Sequence, residues 1–159
     1  MKGFKKMIYI GIIMAILISS NSFAVSVQAS SILDEITELE TTENFAEDTN
    51  YSRLRGNNLN FGRAKISKLA SNKVNVYGLT QCHHDCDEVY LYLYLEQKVN
   101  GSYGTYKSWK FDKTNSSNLT ASIDVIVPSG YYYRVRGYHA AKDGAKESTT
   151  TLTSGILVK

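Results

Sequence analysis

The chain has 159 residues, with 18 lysines and arginines against 15 carboxylates and two cysteines, and its formal net charge is +3. This length suits one domain with a single core. The positive charge is weak and no nucleic-acid-binding motif accompanies it, so nucleic acid is excluded as the expected partner.

The first part of the chain has the pattern of a secretory signal peptide. Three lysines precede an apolar run over residues 7–18, and small-residue cleavage sites follow that end at Ala24 and Ala29. The polar stretch that begins at Ser30 favours cleavage after Ala29. The apolar run is shorter than the ~20 residues that a membrane helix needs. We therefore expect residues 1–29 to be removed, no stable membrane span to remain after cleavage, and the protein to be secreted into the extracellular space.

Charge is distributed unevenly over the rest of the chain. Residues 30–52 contain seven carboxylates and no lysine or arginine, whereas residues 53–159 contain 15 basic and 8 acidic side chains. An acidic segment with one short apolar stripe seldom offsets the entropy of ordering. The sequence therefore predicts an acidic flexible linker over residues 30–52 and a β domain over residues 53–159. An alternative is that the acidic arm folds back onto the basic domain and masks it.

From residue 53 onward, short apolar–polar alternations are separated by turn-forming residues, which is typical of an all-β fold. Clear turn signals stand at Asn100-Gly101 and at Pro128-Ser129-Gly130. The predicted strands cover residues 59–69, 73–80, 88–99, 105–111, 118–127, 131–140 and 148–158. Seven strands at this spacing predict an antiparallel two-sheet sandwich with one core.

The predicted strand over residues 88–99 has the clearest pattern. Successive side chains of a strand point to opposite faces of the sheet. One face carries Val89, Leu91, Leu93 and Leu95, and the other carries Tyr90, Tyr92 and Tyr94. This alternation predicts a central strand that buries its aliphatic side chains and exposes its tyrosines.

Residues 126–138 read Ile-Val-Pro-Ser-Gly-Tyr-Tyr-Tyr-Arg-Val-Arg-Gly-Tyr. With Pro128 followed by Tyr133 and Val135, this segment resembles the corner that leads into strand F of fibronectin type III and immunoglobulin-like domains. The resemblance implies a seven-stranded antiparallel sandwich of that type. From residue 54 to its end, the chain also resembles small secreted domains of unknown function from Gram-positive bacteria, and that resemblance implies no activity.

Residues 82–86, Cys-His-His-Asp-Cys, form the densest cluster of reactive side chains. Two cysteines in a secreted protein most often pair, so we expect a loop disulfide between Cys82 and Cys86. Two alternatives remain open: a metal site formed by Cys82, His83, His84 and Cys86, and free or intermolecular thiols. His83 and His84 would also be the acid–base groups of a hydrolase, but no nucleophile is paired with them by motif. We therefore expect no enzymatic activity and no cofactor.

In a sandwich of this type, the third and sixth strands are neighbours in one sheet. Their outward side chains would form one surface, which we name the aromatic–basic face: Tyr90, Tyr92, Tyr94, Tyr132, Arg134, Arg136 and Tyr138. Tyrosine offers apolar area with a hydroxyl, and arginine binds carboxylate or phosphate. We therefore expect a non-catalytic module that binds extracellular glycan, a cell-wall polymer or another anionic ligand. The alternative is a protein-interaction or adhesion module whose partner is a surface protein. Cross-strand pairs of this kind also stabilise a sheet without any ligand.

Overall fold

The computed structural model describes residues 40–52 and 56–159, which form eight strands and no helix, hence none that could span a membrane. The strands are β1 (Glu40–Thr41), β2 (Phe45–Tyr51), β3 (Leu59–Ala70), β4 (Lys73–Val99), β5 (Ser102–Ile126), β6 (Tyr131–Asp143), β7 (Ala145–Leu152) and β8 (Gly155–Val158). The prediction of an all-β fold is confirmed. The predicted signal peptide and residues 30–39 of the predicted linker lie outside the described residues.

The arrangement of the strands differs from the seven that the sequence predicts. The second and third predicted strands are one continuous strand, β4, and the fourth and fifth are one continuous strand, β5. These two strands form a long hairpin that stays paired over most of its length. Residues 112–117, which the sequence predicts as a polar loop, belong to β5, where their polar side chains are mostly exposed to solvent. The last predicted strand is divided into β7 and β8.

Residues 40–52 correct the predicted flexible linker, because they contribute two strands. β1 pairs in parallel with β8, and β2 pairs antiparallel with β3 from Phe45 to Tyr51. Within β2, Ala46 is buried in the core, while the carboxylate of Asp48 accepts a hydrogen bond from the backbone N–H of Leu152 at 2.8 Å. Acidic side chains therefore do not prevent this segment from forming a strand, because they face solvent or accept backbone hydrogen bonds.

The strands form one sheet in the order β1-β8-β6-β4-β3-β2, with β5 also paired to β4 and β7 also paired to β6. β4 pairs with β3 as far as Cys82 and with β6 from Glu88 onward, so the sheet changes direction between these residues. Its two halves face each other across the core. The halves approach each other closely at Gly78 in the first half, where an added Cβ would stand 2.7 Å from a methyl carbon of Leu93 in the second half.

The edge strands β2 and β7 contact each other on the side of the sheet away from β5. The side-chain amide of Asn50 in β2 donates to the carbonyl oxygen of Thr150 in β7 at 3.0 Å. The contact between Asp48 and Leu152 lies on the same side. β5 instead pairs with β4 alone along its 25 residues. The described part of the chain is thus closed on one side and bounded by β5 on the other.

The core is formed by inward side chains of both halves. Its buried members are Ala46, Ala64, Ile66, Val74, Val76, Leu91, Leu93, Leu95, Ala121, Val125, Val127, Tyr133, Val135, Ile156 and Val158. Each fully buried valine, leucine or isoleucine contributes roughly 1.5–3 kcal/mol of transfer free energy. Leu91, Leu93 and Leu95 of the aliphatic face predicted for residues 88–99 lie in this core, as expected. A smaller cluster at the bend contains Leu59, Cys82, Cys86, Val89 and Ala141.

A histidine occupies the middle of the core with both ring nitrogens hydrogen-bonded. Nδ1 of His139 lies 3.1 Å from the hydroxyl of Thr80, and Nε2 lies 2.9 Å from the hydroxyl of Thr151. The Thr80 hydroxyl donates its proton to the carbonyl oxygen of Tyr90, so it must accept from His139. The neutral imidazole therefore carries its proton on Nδ1 and accepts at Nε2. Glycine at position 62 leaves room for the ring, since a Cβ there would lie 2.3 Å from it.

Tyr133 forms the corner that the sequence segment 126–138 predicts. Its hydroxyl donates to the carbonyl oxygen of Pro128 at 2.9 Å and accepts from the side-chain amide of Gln97 at 2.9 Å. The residue is fully buried, and this burial raises the pKa of its phenol to about 12. A tyrosine hydroxyl bonded to the backbone a few residues upstream is a feature of strand F in immunoglobulin-like domains.

We expect the substitution Tyr133→Phe to lower the free energy of unfolding by about 1–2 kcal/mol, because it removes the two hydrogen bonds made by the hydroxyl of a fully buried side chain. Urea unfolding measures the change. Tyr131→Phe is the matched control, since Tyr131 is two residues earlier on the same strand and 41% exposed. Equal unfolding midpoints for the two variants would contradict the structural role of the corner.

Candidate functional site

The register between β4 and β6 brings four members of the aromatic–basic face together. Tyr92 lies opposite Tyr138, and Tyr94 lies opposite Arg136. The ring centroids of Tyr92 and Tyr138 are 5.4 Å apart, and those of Tyr90 and Tyr92 are 6.3 Å apart in an edge-to-face arrangement. Residues directly opposite in an antiparallel pair share a face. The prediction that outward tyrosines of these strands form a continuous aromatic row is therefore met for these residues.

Cationic side chains lie over the rings of this row. Arg136 is 4.2 Å from the ring centroid of Tyr94, and Lys146 is 4.2 Å from that of Tyr90. Lys110 lies 5.3 Å from the ring of Tyr92. The two lysines belong to β7 and β5, the strands on either side of the β4–β6 pair. Such contacts are attractive through the ring quadrupole, so they hold the ammonium groups against the row.

Arg134 corrects the prediction for one member of the face, because its side chain is buried and not exposed. Its Nε donates to Glu96 at 2.8 Å, and the other oxygen of the same carboxylate accepts from Arg136 at 2.8 Å. Glu96 and Arg134 are only 6% and 7% exposed. The Arg134 guanidinium also stacks on the ring of Tyr103 at 4.1 Å. Burial raises the pKa of the Tyr103 phenol. Arg134 thus anchors the sheet beside the row.

A second carboxylate of the face is also neutralised. Glu88 accepts hydrogen bonds from Lys142 at 2.7 Å and from the hydroxyl of Tyr90. The bond from Lys142 is the main reason why the pKa of Glu88 lies below its ordinary value, and the same bond raises the pKa of Lys142. The bond from Tyr90 to Glu88 raises the pKa of that phenol to about 12. Both oxygens of this carboxylate are therefore occupied, as are both oxygens of Glu96.

Tyr132 lies at the end of the face and apart from the row. It is opposite Leu157 of β8, and the pairing of β6 with β4 ends beside it at Tyr133. The pairs that carry the aromatic row all lie further along β6. The sequence places Tyr132 correctly on the outward side by its alternation, but the structure does not bring it into contact with the tyrosines of β4.

Cys82 and Cys86 correct the predicted disulfide, because the structure holds both as free thiols, and both are buried. Their side chains hydrogen-bond to each other within the small cluster at the bend, and Sγ of Cys86 also donates to the carbonyl oxygen of His84. Burial raises the pKa of the Cys82 thiol to about 12, and burial also raises the pKa of Cys86. A protonated, buried thiol is a poor nucleophile and a poor metal ligand.

The intervening histidines point away from these thiols. The segment of β4 from Gln81 to Cys86 lies opposite a shorter segment of β5, from Asn118 to Ser116. The extra residues of β4 therefore bulge outward. His83 and His84 are exposed on this bulge, whereas the two thiols face the interior. The four side chains named as an alternative metal site therefore do not converge. The described residues contain no group of three or more potential ligands that could hold a metal ion.

His84 has a carboxylate partner, since its Nε2 lies 3.0 Å from Oδ2 of Asp143. Both side chains are close to half exposed. A catalytic histidine of this kind needs a nucleophile or an activated water on the far side of the ring. The nearby thiols are buried on the opposite side of the strand, so the geometry provides a hydrogen bond between His84 and Asp143 at the surface.

Sequence reasoning missed the lysines that contact the aromatic row. A two-residue turn at Asn100-Gly101 would put Trp109 opposite Tyr92, but a β-bulge between Leu95 and Glu96 shifts the register by one residue. Lys110 therefore lies beside Tyr92, and Trp109 packs against the core. A one-residue shift exchanges the two faces of a strand. Glu96 could be assigned to this face from the sequence, because it continues the alternation of Tyr90, Tyr92 and Tyr94.

Comparisons with known proteins point to a family and add only distant structural likenesses. No curated protein sequence matches the chain. The structure is similar to that of Spo0M, a sporulation control protein from Bacillus subtilis, with a TM-score of 0.36, 11% identity and coverage of 74% of this chain and 51% of that one. It therefore spans about half the length of Spo0M. It is also similar to chicken MD-1 complexed with lipid IVa, with a TM-score of 0.32, 12% identity and coverage of 75% and 96%. At these TM-scores the likenesses carry no argument about function.

A family pattern matches most of the chain, from residue 34 to residue 155. This range includes all of β1 to β7 and the first residue of β8. It contains both the acidic strand β2 and the aromatic row. The chain belongs to this family, which is a family of unknown function (DUF6147).

Proposed function

We propose that this protein is a secreted, non-catalytic binding module whose aromatic–basic face holds an anionic extracellular polymer, such as an acidic glycan or a cell-wall polymer. The observation that supports the proposal is the placement of Arg136, Lys110 and Lys146 over the tyrosine rings of one sheet face. The sequence pattern of residues 1–29 supports secretion. The hydrogen bond of Tyr133 to Pro128 supports a variant of the immunoglobulin-like sandwich with a different strand arrangement.

The contacts of the row favour an anion over a neutral sugar. A sugar ring stacks on an aromatic face, but the faces of Tyr90, Tyr92 and Tyr94 already carry the protein's own cations. Sugar hydroxyls also need acceptors, and the oxygens of Glu88 and Glu96 are occupied. Cations held in place on a rigid sheet lose little entropy when an anion binds. A phosphate, sulfate or carboxylate group is therefore the ligand that fits.

The charge on the outward face of this half of the sheet is positive after its ion pairs are formed. Six cationic side chains stand against four carboxylates: Lys98, Lys110, Arg134, Arg136, Lys142 and Lys146 against Glu40, Glu88, Glu96 and Asp112. Among the ion pairs of the described residues, Lys110 and Lys146 take no part. Unpaired surface cations attract a polyanion over a distance of about a Debye length, ~10 Å at 0.1 M salt. These two lysines are the groups most available to a ligand.

A protein-interaction or adhesion module is the second candidate, and the free edge of β5 favours it. A strand paired on one side offers its backbone groups to an incoming strand. Two irregularities interrupt the β4–β5 register, however, and Lys107, Lys110 and Lys113 are spaced along the strand. Bulges and lysines are the means by which natural sheets prevent edge-to-edge pairing. The cationic surface is therefore the better supported of the two sites.

We expect the double substitution of Lys110 and Lys146 by serine to weaken binding to heparin, a polyanionic glycan, about tenfold, which corresponds to ~1.4 kcal/mol. The loss has a simple cause, because the two unpaired cations are removed while the buried Glu96 ion pairs remain. Isothermal titration at low and at physiological salt measures it. Dextran serves as the neutral polymer and should bind neither protein.

Lys159→Ser is the charge control, because Lys159 is exposed at the end of the chain and outside the face. It should bind heparin as the unaltered protein does. Unchanged binding by the double variant, or an equal loss in the control, would show that this face is not the binding site.

A further inference from the structure

The other half of the sheet carries a shallow hollow on its outward surface. It has a volume of about 350 Å³ and is lined by Glu47, Arg63, Lys65, Ser67, Asn75 and Tyr77, which we name the second-face hollow. This volume is at the lower end of the roughly 300–1,000 Å³ of small-molecule sites. The hollow lies on β2, β3 and the first part of β4, across the core from the aromatic–basic face.

Strand register explains why these polar side chains lie together. Glu47 of β2 is opposite Lys65 of β3, and Lys65 is opposite Tyr77 of β4, so the three form one row across the sheet. Ser67 and Asn75 are opposite each other in the next row. The residues between them in sequence, such as Ile66 and Val76, are buried in the core. The hollow is thus built on three rigid strands.

Two cations give the hollow its capacity for an anion. Arg63 contacts Glu47 at 3.4 Å and the Thr49 hydroxyl at 3.0 Å, and both contacts use Nε. Among the hydrogen bonds and ion pairs of the described residues, its terminal nitrogens take no partner. Lys65 forms no ion pair with a described residue, and it lies 5.1 Å from the ring centroid of Phe45. A carboxylate can therefore pair with both side chains without displacing a partner of the terminal nitrogens.

The remaining lining groups suit the hydroxyls and the apolar face of a sugar. Glu47 and Ser67 offer a carboxylate and a hydroxyl beside the cations, and Asn75 offers its amide oxygen, because its amide nitrogen already donates to Ser122 and Asp124. Tyr77 adds a ring with a hydroxyl, and Phe45 at the rim is 52% exposed. Tyrosine and phenylalanine rings are apolar surfaces on which the C–H face of a sugar packs. The hollow differs from the aromatic–basic face in two groups, since among the contacts of the described residues the second oxygen of Glu47 and the ring of Tyr77 take no partner, whereas Lys65 lies over Phe45 in the same way as the lysines of the row.

We infer that the second-face hollow is a binding site for a carboxylated sugar residue, with Arg63 and Lys65 pairing the carboxylate and the neighbouring polar groups bonding the hydroxyls. A simple inorganic anion would use the two cations and leave the rest of the hollow empty. A neutral sugar would leave the cations without a partner. Only a ligand that carries both an acid group and hydroxyls on one ring uses the whole lining.

Titration of the purified protein with oligogalacturonate, a carboxylated oligosaccharide, tests the inference. We expect saturable binding that weakens roughly tenfold or more in the Arg63→Ser, Lys65→Ser double variant and in the methyl-esterified oligosaccharide, because each change removes one side of the charge-assisted pair. Lys65→Arg keeps the charge and should retain binding. Lys68→Ser should bind as the unaltered protein does. Lys68 is on the same strand, but its cross-strand partner Val74 belongs to the core, so Lys68 is not part of the lining of the hollow. Thermal unfolding of each variant confirms its fold.

The outcome separates this site from the aromatic–basic face. If the Lys110 and Lys146 double variant loses oligogalacturonate binding while the Arg63 and Lys65 variant keeps it, the inference is overturned and the proposed function stands. If instead the Arg63 and Lys65 variant loses oligogalacturonate binding, and the Lys110 and Lys146 variant binds heparin as the unaltered protein does, the inference about the second-face hollow is supported. The proposed function is then contradicted. Equal binding of the methyl ester and the free acid overturns the inference directly.

Discussion

The substitution Glu96→Gln should lower the free energy of unfolding by about 3 kcal/mol, which is the loss expected when one member of a buried ion pair is removed. Both oxygens of Glu96 accept guanidinium hydrogen bonds at 2.8 Å, and its side chain and that of Arg134 are less than one-tenth exposed. Glutamine has the same shape but no charge, so Arg134 would lose its buried carboxylate. Chemical unfolding monitored by circular dichroism measures the loss.

Glu88→Gln is the matched comparison for this variant. Glu88 is on the same strand and the same face, and it also bonds a cation, Lys142, but both side chains of that pair are more than a third exposed. Exposed ion pairs contribute little because solvent screens them. We expect a far smaller loss for Glu88→Gln. If the two variants lose the same stability, the Glu96 carboxylate does not act as a buried anchor.

A fall in pH from 7 to 4 should cost the native state about 3 kcal/mol through a single histidine. Burial lowers the pKa of His139 from 6.5 to about 4, and a nearby backbone contact with Leu79 opposes this only in part. Between these two values, the unfolded chain binds the proton and the folded chain does not. The stability that neutral His139 provides is therefore fully present above about pH 6.5. It is lost progressively as the pH falls toward 4, and His139 causes no further loss below that pH.

Two variants test the assignment of this pH dependence. His139→Gln should remove most of the slope between pH 6.5 and 4, whereas His84→Gln should keep it, because His84 is exposed. The carboxylates with lowered pKa, Glu88 and Asp124, have ordinary values of 4.5 and 3.8, so their contributions are lost mainly below about pH 4.5 and leave the slope between pH 6.5 and 5 to His139. Unfolding curves recorded at half-unit steps of pH provide the measurement. A slope that persists in His139→Gln would assign it to another group.

The sequence predicts the faces of β4 and β6 correctly because alternation depends on each strand alone. The aliphatic side chains of β4 are buried and the tyrosines that alternate with them face outward, as the period of two requires. The buried residues are Val89, Leu91, Leu93 and Leu95. The corner at Tyr133 could also be predicted, because its tyrosine and proline are close in sequence. These features need no knowledge of which strands are neighbours.

The remaining contacts depend on register and on irregular pairing, which alternation does not encode. The bulge beside Leu95 decides that Lys110 and not Trp109 lies next to Tyr92. The approach of Lys146 depends on how β7 pairs with β6. The acidic strand β2 could not be predicted for another reason, because its composition is typical of a solvated segment. It is ordered by its pairing with β3 and by hydrogen bonds with β7. Such tertiary contacts override local propensity.

The continuity of β4 and β5 through both halves of the sheet affects how the molecule opens. Most two-layered β proteins can separate one layer from the other by breaking side-chain contacts and leaving the strands of each layer paired. Here the same two strands belong to both layers, so loosening of either one disturbs the backbone ladder of the other. Amide hydrogens on the two sides of the bend at Cys82 to Glu88 should therefore exchange through one shared opening event, and the domain behaves as a single cooperative unit.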